Sequence, residues 1–287
     1  MNAGVHAVLA TLFVLALPGA SAQGVNGITQ LAQAITAQPA QPGKVGVVPW
    51  RSQRFGTYEA LLIGINGYTH LPKTEQLSTA INDAVAVAQL LLERYGFNVK
   101  VLRNARRQTI FTQLARLRAE LTEADRLLLY YAGHGHIDSE SKRGYWWPSD
   151  ADPNDPATWI ANAEVTDQLK TMKAAHVLIV ADSCYTGTQP YRSQAPPAGE
   201  KRDVWLQRLA KMRVRTVLTS GNLRPLTQTN SSEHSLFANA FMQALRANDR
   251  TIEGARLLTT LGLSATYAFI DGNGHLDGDF LFVPRNR

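Results

Sequence analysis

The stretch His176-Val177-Leu178-Ile179-Val180-Ala181-Asp182-Ser183-Cys184-Tyr185-Thr186-Gly187 runs an apolar segment of strand length straight into the only cysteine of the chain. A second apolar run, Leu127-Leu128-Leu129-Tyr130-Tyr131-Ala132, ends in Gly133-His134-Gly135. A thiol and an imidazole therefore each stand just past the end of an expected buried strand. A nucleophilic thiol needs that arrangement: an imidazole to exchange its proton, and a rigid sheet to hold both groups.

Working outward, Tyr58 to Ile65 is another continuous apolar run, closed by Asn66-Gly67. Ile81, Ala84, Val85, Ala88, Leu91, Leu92 and Tyr95 then recur at helical spacing until Gly96. The same reading predicts a strand over 97–102, a helix over 109–121, a helix near 163–172, a strand over 216–219, helices over 235–245 and 252–263, and a closing strand over 280–283. Buried strands alternating with helices predict an α/β fold, a mainly parallel sheet with helices on both faces. In such sheets ligands bind beyond the carboxyl ends of the strands, where His134 and Cys184 both fall.

The whole chain narrows the choices further. Its 287 residues are 45% hydrophobic and 18% charged, an ordinary globular balance. A net charge of +6 comes from scattered basic residues with no aromatic-interleaved stripe, so no nucleic-acid partner is expected. Val8 to Leu17 followed by Ala20-Ser21-Ala22 reads as a signal peptide over 1–22, which predicts a periplasmic or secreted protein. That run is short of the ~20 residues a membrane span requires, so no stable span is expected once the signal is removed. A single cysteine excludes an intramolecular disulfide. Residues 23–54, rich in Gln, Ala, Gly and Pro, read as a flexible segment, and 55–287 as one domain. Within it, a large part spans 55–187, a proline-bearing linker 188–203, and a small part 204–287.

Ala60-Leu61-Leu62-Ile63-Gly64-Ile65, Ile81-Asn82-Asp83-Ala84, Tyr130-Tyr131-Ala132-Gly133-His134-Gly135, Asp182-Ser183-Cys184-Tyr185-Thr186-Gly187 and Gly278-Asp279-Phe280-Leu281-Phe282 together resemble the caspase-like cysteine peptidases, in particular their bacterial metacaspase-like (orthocaspase) branch. Cys184 lies 50 residues beyond His134, the caspase spacing. The resemblance implies a caspase-hemoglobinase fold with a six-stranded sheet. It implies a cysteine endopeptidase in which Cys184 attacks the peptide carbonyl and His134 protonates the leaving amine. The amides of Gly135 and Cys184 would form the oxyanion hole. The glycines Gly133 and Gly135 are expected to let the backbone approach a substrate closely.

By the same resemblance, Asp83, Asp182 and Ser220 would line a pocket for an Arg or Lys side chain before the scissile bond, since two carboxylates can pair with a guanidinium. Ala132 stands where many metacaspases carry Ser, so one polar contact of that pocket is missing. A polypeptide with a basic residue is therefore the expected partner, and Arg192, Lys201 and Arg202 in the linker are candidate self-cleavage sites. No cofactor is required for the chemistry. Calcium as an activator is open, with Asp150, Asp152 and Asp155 as its candidate ligands, whereas Asp271-x-Asn273 with Asp277 and Asp279 lacks the closing glutamate of a calcium loop.

Three other readings compete. One is a catalytically inactive caspase-like interaction module. Another is a zinc hydrolase using His134 and His136 with Asp138 or Asp150. The third is an Asp-specific peptidase. The oligomeric state is left open by the sequence.

Overall fold

The computed structural model describes residues 56–183, 188–190, 196–220, 233–263, 265–270, 272 and 274–285. The expected signal peptide and the whole of the expected N-terminal segment lie outside them, as do Cys184 and Arg192. The central sheet is built from β1 (Tyr58–Gly64), β2 (Asn98–Arg103), β3 (Arg126–Ala132), β7 (His176–Asp182), β9 (Val214–Thr219) and β11 (Thr266–Ile270). Their spatial order is β2-β1-β3-β7-β9-β11, and the first five run parallel. The number of these principal strands, six, is the one expected. β11 is antiparallel to β9 and pairs on its far side with a three-residue edge strand, β8 (Thr188–Pro190).

Two of these strands depart from the sequence reading. The sixth is Thr266–Ile270, where no strand was expected, whereas the apolar run near 280–283 yields only β12 (Leu281–Phe282). It pairs outside the main sheet with β10 (Ile252–Glu253). The segment read as linker from residue 188 begins with a strand, because the edge of β11 offers unpaired backbone groups to whatever chain passes it.

Side chains alternate across the sheet as strand geometry requires. Ala60, Leu62, Leu128, Tyr130, Leu178 and Val180 share one buried cluster, and Leu61, Ile63, Leu127, Leu129, Tyr131, Val177 and Ile179 the other. On the first face pack α1 (Ala80–Leu90, continued by a π turn to Tyr95), α5 (Leu236–Ala247) and α6 (Gly254–Thr260). On the second pack α2 (Arg107–Glu120) and α3 (Asn162–Lys170), while α4 (Arg202–Leu209) seats Trp205, Leu206 and Leu209 in a satellite cluster. Gly96 ends the first helix at φ 67°, a left-handed turn that favours glycine. Gly64 is needed for packing, since a β-carbon there would lie 2.5 Å from the Ala80 carbonyl oxygen.

The second face also carries a small antiparallel sheet with no counterpart in the sequence reading: β4 (Gly135–Ile137), β5 (Gly144–Trp146) and β6 (Ile160–Ala161). It is fixed to the core through Trp146, fully buried and stacked on Tyr131 with ring centroids 4.4 Å apart. Such a stack adds ~1 kcal/mol to the area it buries.

At the opposite, amino-terminal end of the main sheet, His176 is fully enclosed. Burial, reinforced by the adjacent Arg126 guanidinium, pushes its imidazole down to about 3. The folded state therefore refuses a proton that the unfolded chain accepts near pH 6.5. This stability is complete above pH 6.5 and is lost as pH falls toward 3. Buried Asp279 and half-buried Glu59, each raised to about 7 mainly by desolvation, act in the opposite direction, favouring the fold as pH drops from 7 toward 4. The His176 effect is isolated by comparing variants. In denaturant titrations, His176→Leu should gain on the parent protein by up to roughly 1 kcal/mol per pH unit between pH 6.5 and 4. A difference that does not change with pH would remove this account of His176.

Candidate active site

The carboxyl end of the sheet gathers the residues singled out by the sequence. Ala132, the last residue of β3, is in register with Asp182, the last of β7. His134 follows two residues after the first, and Cys184 two residues after the second.

His134 is held from several directions. Its backbone N–H donates to the Tyr68 hydroxyl at 2.7 Å, and its carbonyl accepts from the Tyr131 hydroxyl at 2.7 Å and from the Trp147 N–H at 3.0 Å. Its ring lies 4.8 Å from that of Tyr68, centroid to centroid. Nε2 sits 2.7 Å from the carbonyl oxygen of Glu75. A carbonyl only accepts, so Nε2 carries the hydrogen and Nδ1 is left for a second partner. Burial lowers the imidazole's pKa below its ordinary value, partly offset by the Glu75 carbonyl. At neutral pH the ring is therefore poised to take a proton.

The loop after β1 places that carbonyl. Asn104, at φ 45°, accepts from the N–H groups of Asn66 and Gly67, both at 2.9 Å. Asn66 in turn accepts from the Ile81 N–H and donates to the Ser78 carbonyl. Gln76 accepts from Tyr68 N–H at 2.6 Å and donates to the carbonyls of Tyr68 and Leu71. The loop is thus locked by side-chain amides on both sides of Glu75. Gly133 answers to the same crowding. A β-carbon there would lie 2.7 Å from the Tyr131 hydroxyl oxygen and 2.9 Å from that of Tyr68. These two tyrosines alone require a glycine at this position.

Across the sheet edge lies an acidic group. Asp83, on α1, is fully enclosed, and one of its oxygens is 2.9 Å from Nδ1 of His234. The Ser235 N–H donates to both Asp83 oxygens, at 3.2 and 3.4 Å. The Ser235 hydroxyl donates to Asp182 at 2.5 Å and accepts from the Ala238 N–H at 2.9 Å as the N-cap of α5. One serine thus starts a helix and bridges two carboxylates. Asp182 is pushed up to about 6, chiefly by burial, and its bonds to Ser235 and Ser220 hold it from rising further. Burial likewise raises Asp83, against the pull of His234. Ser220 stands at the end of β9, its N–H bonded to the Ala181 carbonyl. The three residues assigned to the pocket are therefore brought together. His234, Ser235, Tyr68 and the Glu75 carbonyl, which complete the arrangement, escaped the sequence reading.

Other expected sites look different. Asp150 caps the start of α2 through the Arg107 N–H, while Asp152 and Asp155 accept from Asn154 and Ala157 within their own turns. Asp279 is buried, accepting from Tyr267 and Ala255. Asp271 and Asn273 lie outside the described residues. Among the described residues no three His, Cys, Asp or Glu side chains converge as a metal site would require. Lys201 is exposed in extended backbone, whereas Arg202 opens α4 with its guanidinium 2.8 Å from buried Glu253.

Comparison with known proteins agrees with this architecture. Residues 58–262 match the model of the caspase domain family. Metacaspase-1 of the fission yeast Schizosaccharomyces pombe is 31% identical over 31% of this chain, and the match spans about a quarter (24%) of the yeast protein's length. Among solved structures, the initiator caspase Dronc of Drosophila superposes with a TM-score of 0.53 at 13% identity, over 84% of this chain and 93% of that one. Protein GSU0716 of Geobacter sulfurreducens gives 0.50 at 16% identity, over 80% and 97%. At those identities the likeness is one of fold. With the family model covering most of the chain, this protein belongs to the caspase domain family, whose members are cysteine peptidase-like hydrolases and include the metacaspases.

Proposed function

We propose that the protein is a cysteine endopeptidase that cuts polypeptides after Arg or Lys, with Cys184 and His134 as its dyad. The observation that carries this reading is the fixed His134 imidazole at the tip of β3, beside the in-register tip of β7 from which the chain runs on to Cys184. Parallel neighbours lie about 4.8 Å apart, so the tips of β3 and β7 are close together.

The chemistry follows from the tautomer. Nδ1 accepts the thiol proton as the sulfur attacks the scissile carbonyl, and amide N–H groups, assigned by resemblance to Gly135 and Cys184, take up the negative charge on oxygen. The carbon–nitrogen bond then breaks as Nδ1 returns the proton to the departing amine. Water, deprotonated by the same nitrogen, hydrolyses the thioester and restores the thiol. Glu75 contributes only its carbonyl, which keeps Nε2–H engaged and favours positive charge on the ring during both transfers.

The basic preference rests on Asp182, half-buried and backed by Asp83. Asp83 itself has no exposed surface, so a substrate cation meets Asp182 first unless His234 gives way. Lys201 is the better-supported self-cleavage site, since cleavage clefts take extended chain and the bond after Arg202 lies inside a helix. The signal-like sequence over 1–22 supports a periplasmic or secreted setting for this activity.

Peptides carrying Arg, Lys or Asp before the scissile bond, offered to the parent protein and Cys184→Ala with and without calcium, test the reading. Arginyl and lysyl peptides should be cut, with turnover falling at least ~1000-fold in the variant. Faster cleavage of the aspartyl peptide, or activity surviving in Cys184→Ala, would contradict it. The calcium arms decide whether calcium acts as an activator.

A pH profile probes the pocket. Asp182 is ionised above about 6, so kcat/KM for an arginyl peptide should fall as pH drops through 6. Ser235→Ala removes a bond that favours the Asp182 carboxylate and should shift that acid limb upward, with ~1 kcal/mol lost from the α5 cap. An acid limb unmoved by Ser235→Ala would remove Asp182 as its source.

A further inference from the structure

The small sheet beside His134 has one face made almost wholly of rings. Opposite residues in an antiparallel pair point the same way, and β4 and β5 are registered Gly135↔Trp146 and His136↔Tyr145. Continuing that register pairs His134 with Trp147, as the bond from the Trp147 N–H to the His134 carbonyl requires. The pairing of Trp146 with Ile160 sets Trp159 next to Trp147 in turn. His134, His136, Tyr145, Trp147 and Trp159 therefore share one side, whereas Trp146 points inward to the core.

The rings touch in sequence. His134 lies 6.0 Å from Trp147, edge to face, and His136 lies 6.2 Å from Trp147, nearly parallel. Trp159 backs the group, 4.8 Å from His136, 5.4 Å from Trp147 and 5.4 Å from Tyr145. Trp159 is 7% exposed, while His136, Tyr145 and Trp147 remain half-exposed. The Tyr131 hydroxyl reaches both the His134 and Trp147 carbonyls, at 2.7 and 2.9 Å, so this ledge is rigidly indexed to the imidazole.

We infer that the ledge formed by Trp147, His136 and Tyr145 binds the side chain of the residue immediately after the scissile bond and favours an aromatic or large aliphatic one. The inference rests on the peptidase reading above. In that reading the departing amine must lie within about 3 Å of His134, so the side chain beside it falls against whatever flanks the imidazole. Tyr68 flanks one side but is only 4% exposed and offers no surface. Trp147 flanks another and does. A ring or branched alkyl group stacked there exchanges water for aromatic contact, whereas glycine gains nothing and a carboxylate loses hydration.

The test uses the full chain and quenched peptides alike in sequence up to Arg, followed by Phe, Leu, Gly or Asp. The ratio of kcat/KM for Phe over Gly is read, because a general disturbance of His134 cancels in it. For the parent protein the ratio should be on the order of tenfold. It should fall toward one in Trp147→Leu and, in case that variant folds poorly, in Tyr145→Ala. Alkylation of the parent protein by an arginyl chloromethyl ketone, which has nothing after its arginine, reports the dyad separately. If the reagent labels Cys184 and the peptides are cut but Phe and Gly are equal, the ledge proposal alone is overturned. If the variants keep the parent ratio, it is overturned as well. If neither labelling nor cleavage occurs, the peptidase reading and the ledge fall together.

Discussion

A single hydrogen bond, from Nε2–H of His134 to the carbonyl oxygen of Glu75, decides what the rest of this site can do. A backbone carbonyl has no proton to give, so it selects one imidazole tautomer and turns the opposite nitrogen into a base. Much of the surrounding structure serves that contact. Asn66, Gln76 and Asn104 fasten the loop bearing Glu75, and Tyr68 and Tyr131 fix the backbone of His134 from below. The absence of a side chain at Gly133 lets both hydroxyls reach that backbone. Loosening any of these would let the ring turn without touching the sheet.

The acidic side of the site is organised by a different economy. Two carboxylates held in a poorly solvated recess repel each other and resist ionisation. Ser235 answers with a hydroxyl to Asp182 and a backbone N–H to Asp83, and both donors come from the positive end of α5. The recess stays ionisable near neutral pH because a helix begins there. A departing strand tip, the start of α5 and Asp83 in the first turn of α1 thus act as one electrostatic unit drawn from three remote parts of the chain.

The strands leading to His134 and Cys184 were legible because they are buried on both faces and read as unbroken apolar runs, β3 and β7 above all. Asp83, Asp182 and Ser220 were legible only through resemblance. Thr266–Ile270 was missed because five mixed residues between turn-forming segments carry no clear period. The strands of the ring-bearing sheet are two or three residues long, too short for periodicity to register, although His-x-His and Tyr-x-Trp mark their common face. The Glu75 carbonyl was beyond sequence reading in principle, since every residue has one. His234 and Ser235 meet an aspartate 151 and 152 positions away, a relation that only the folded chain reveals.

The most direct test of the account is nitrogen-15 NMR of the histidine side chains across neutral pH, with the His134 signals identified by their loss in His134→Gln. The account predicts that Nε2 of His134 carries a proton throughout, with Nδ1 either bare or protonated as an ion pair with the Cys184 thiolate. A spectrum in which Nε2 is bare and Nδ1 alone bears the proton would contradict it.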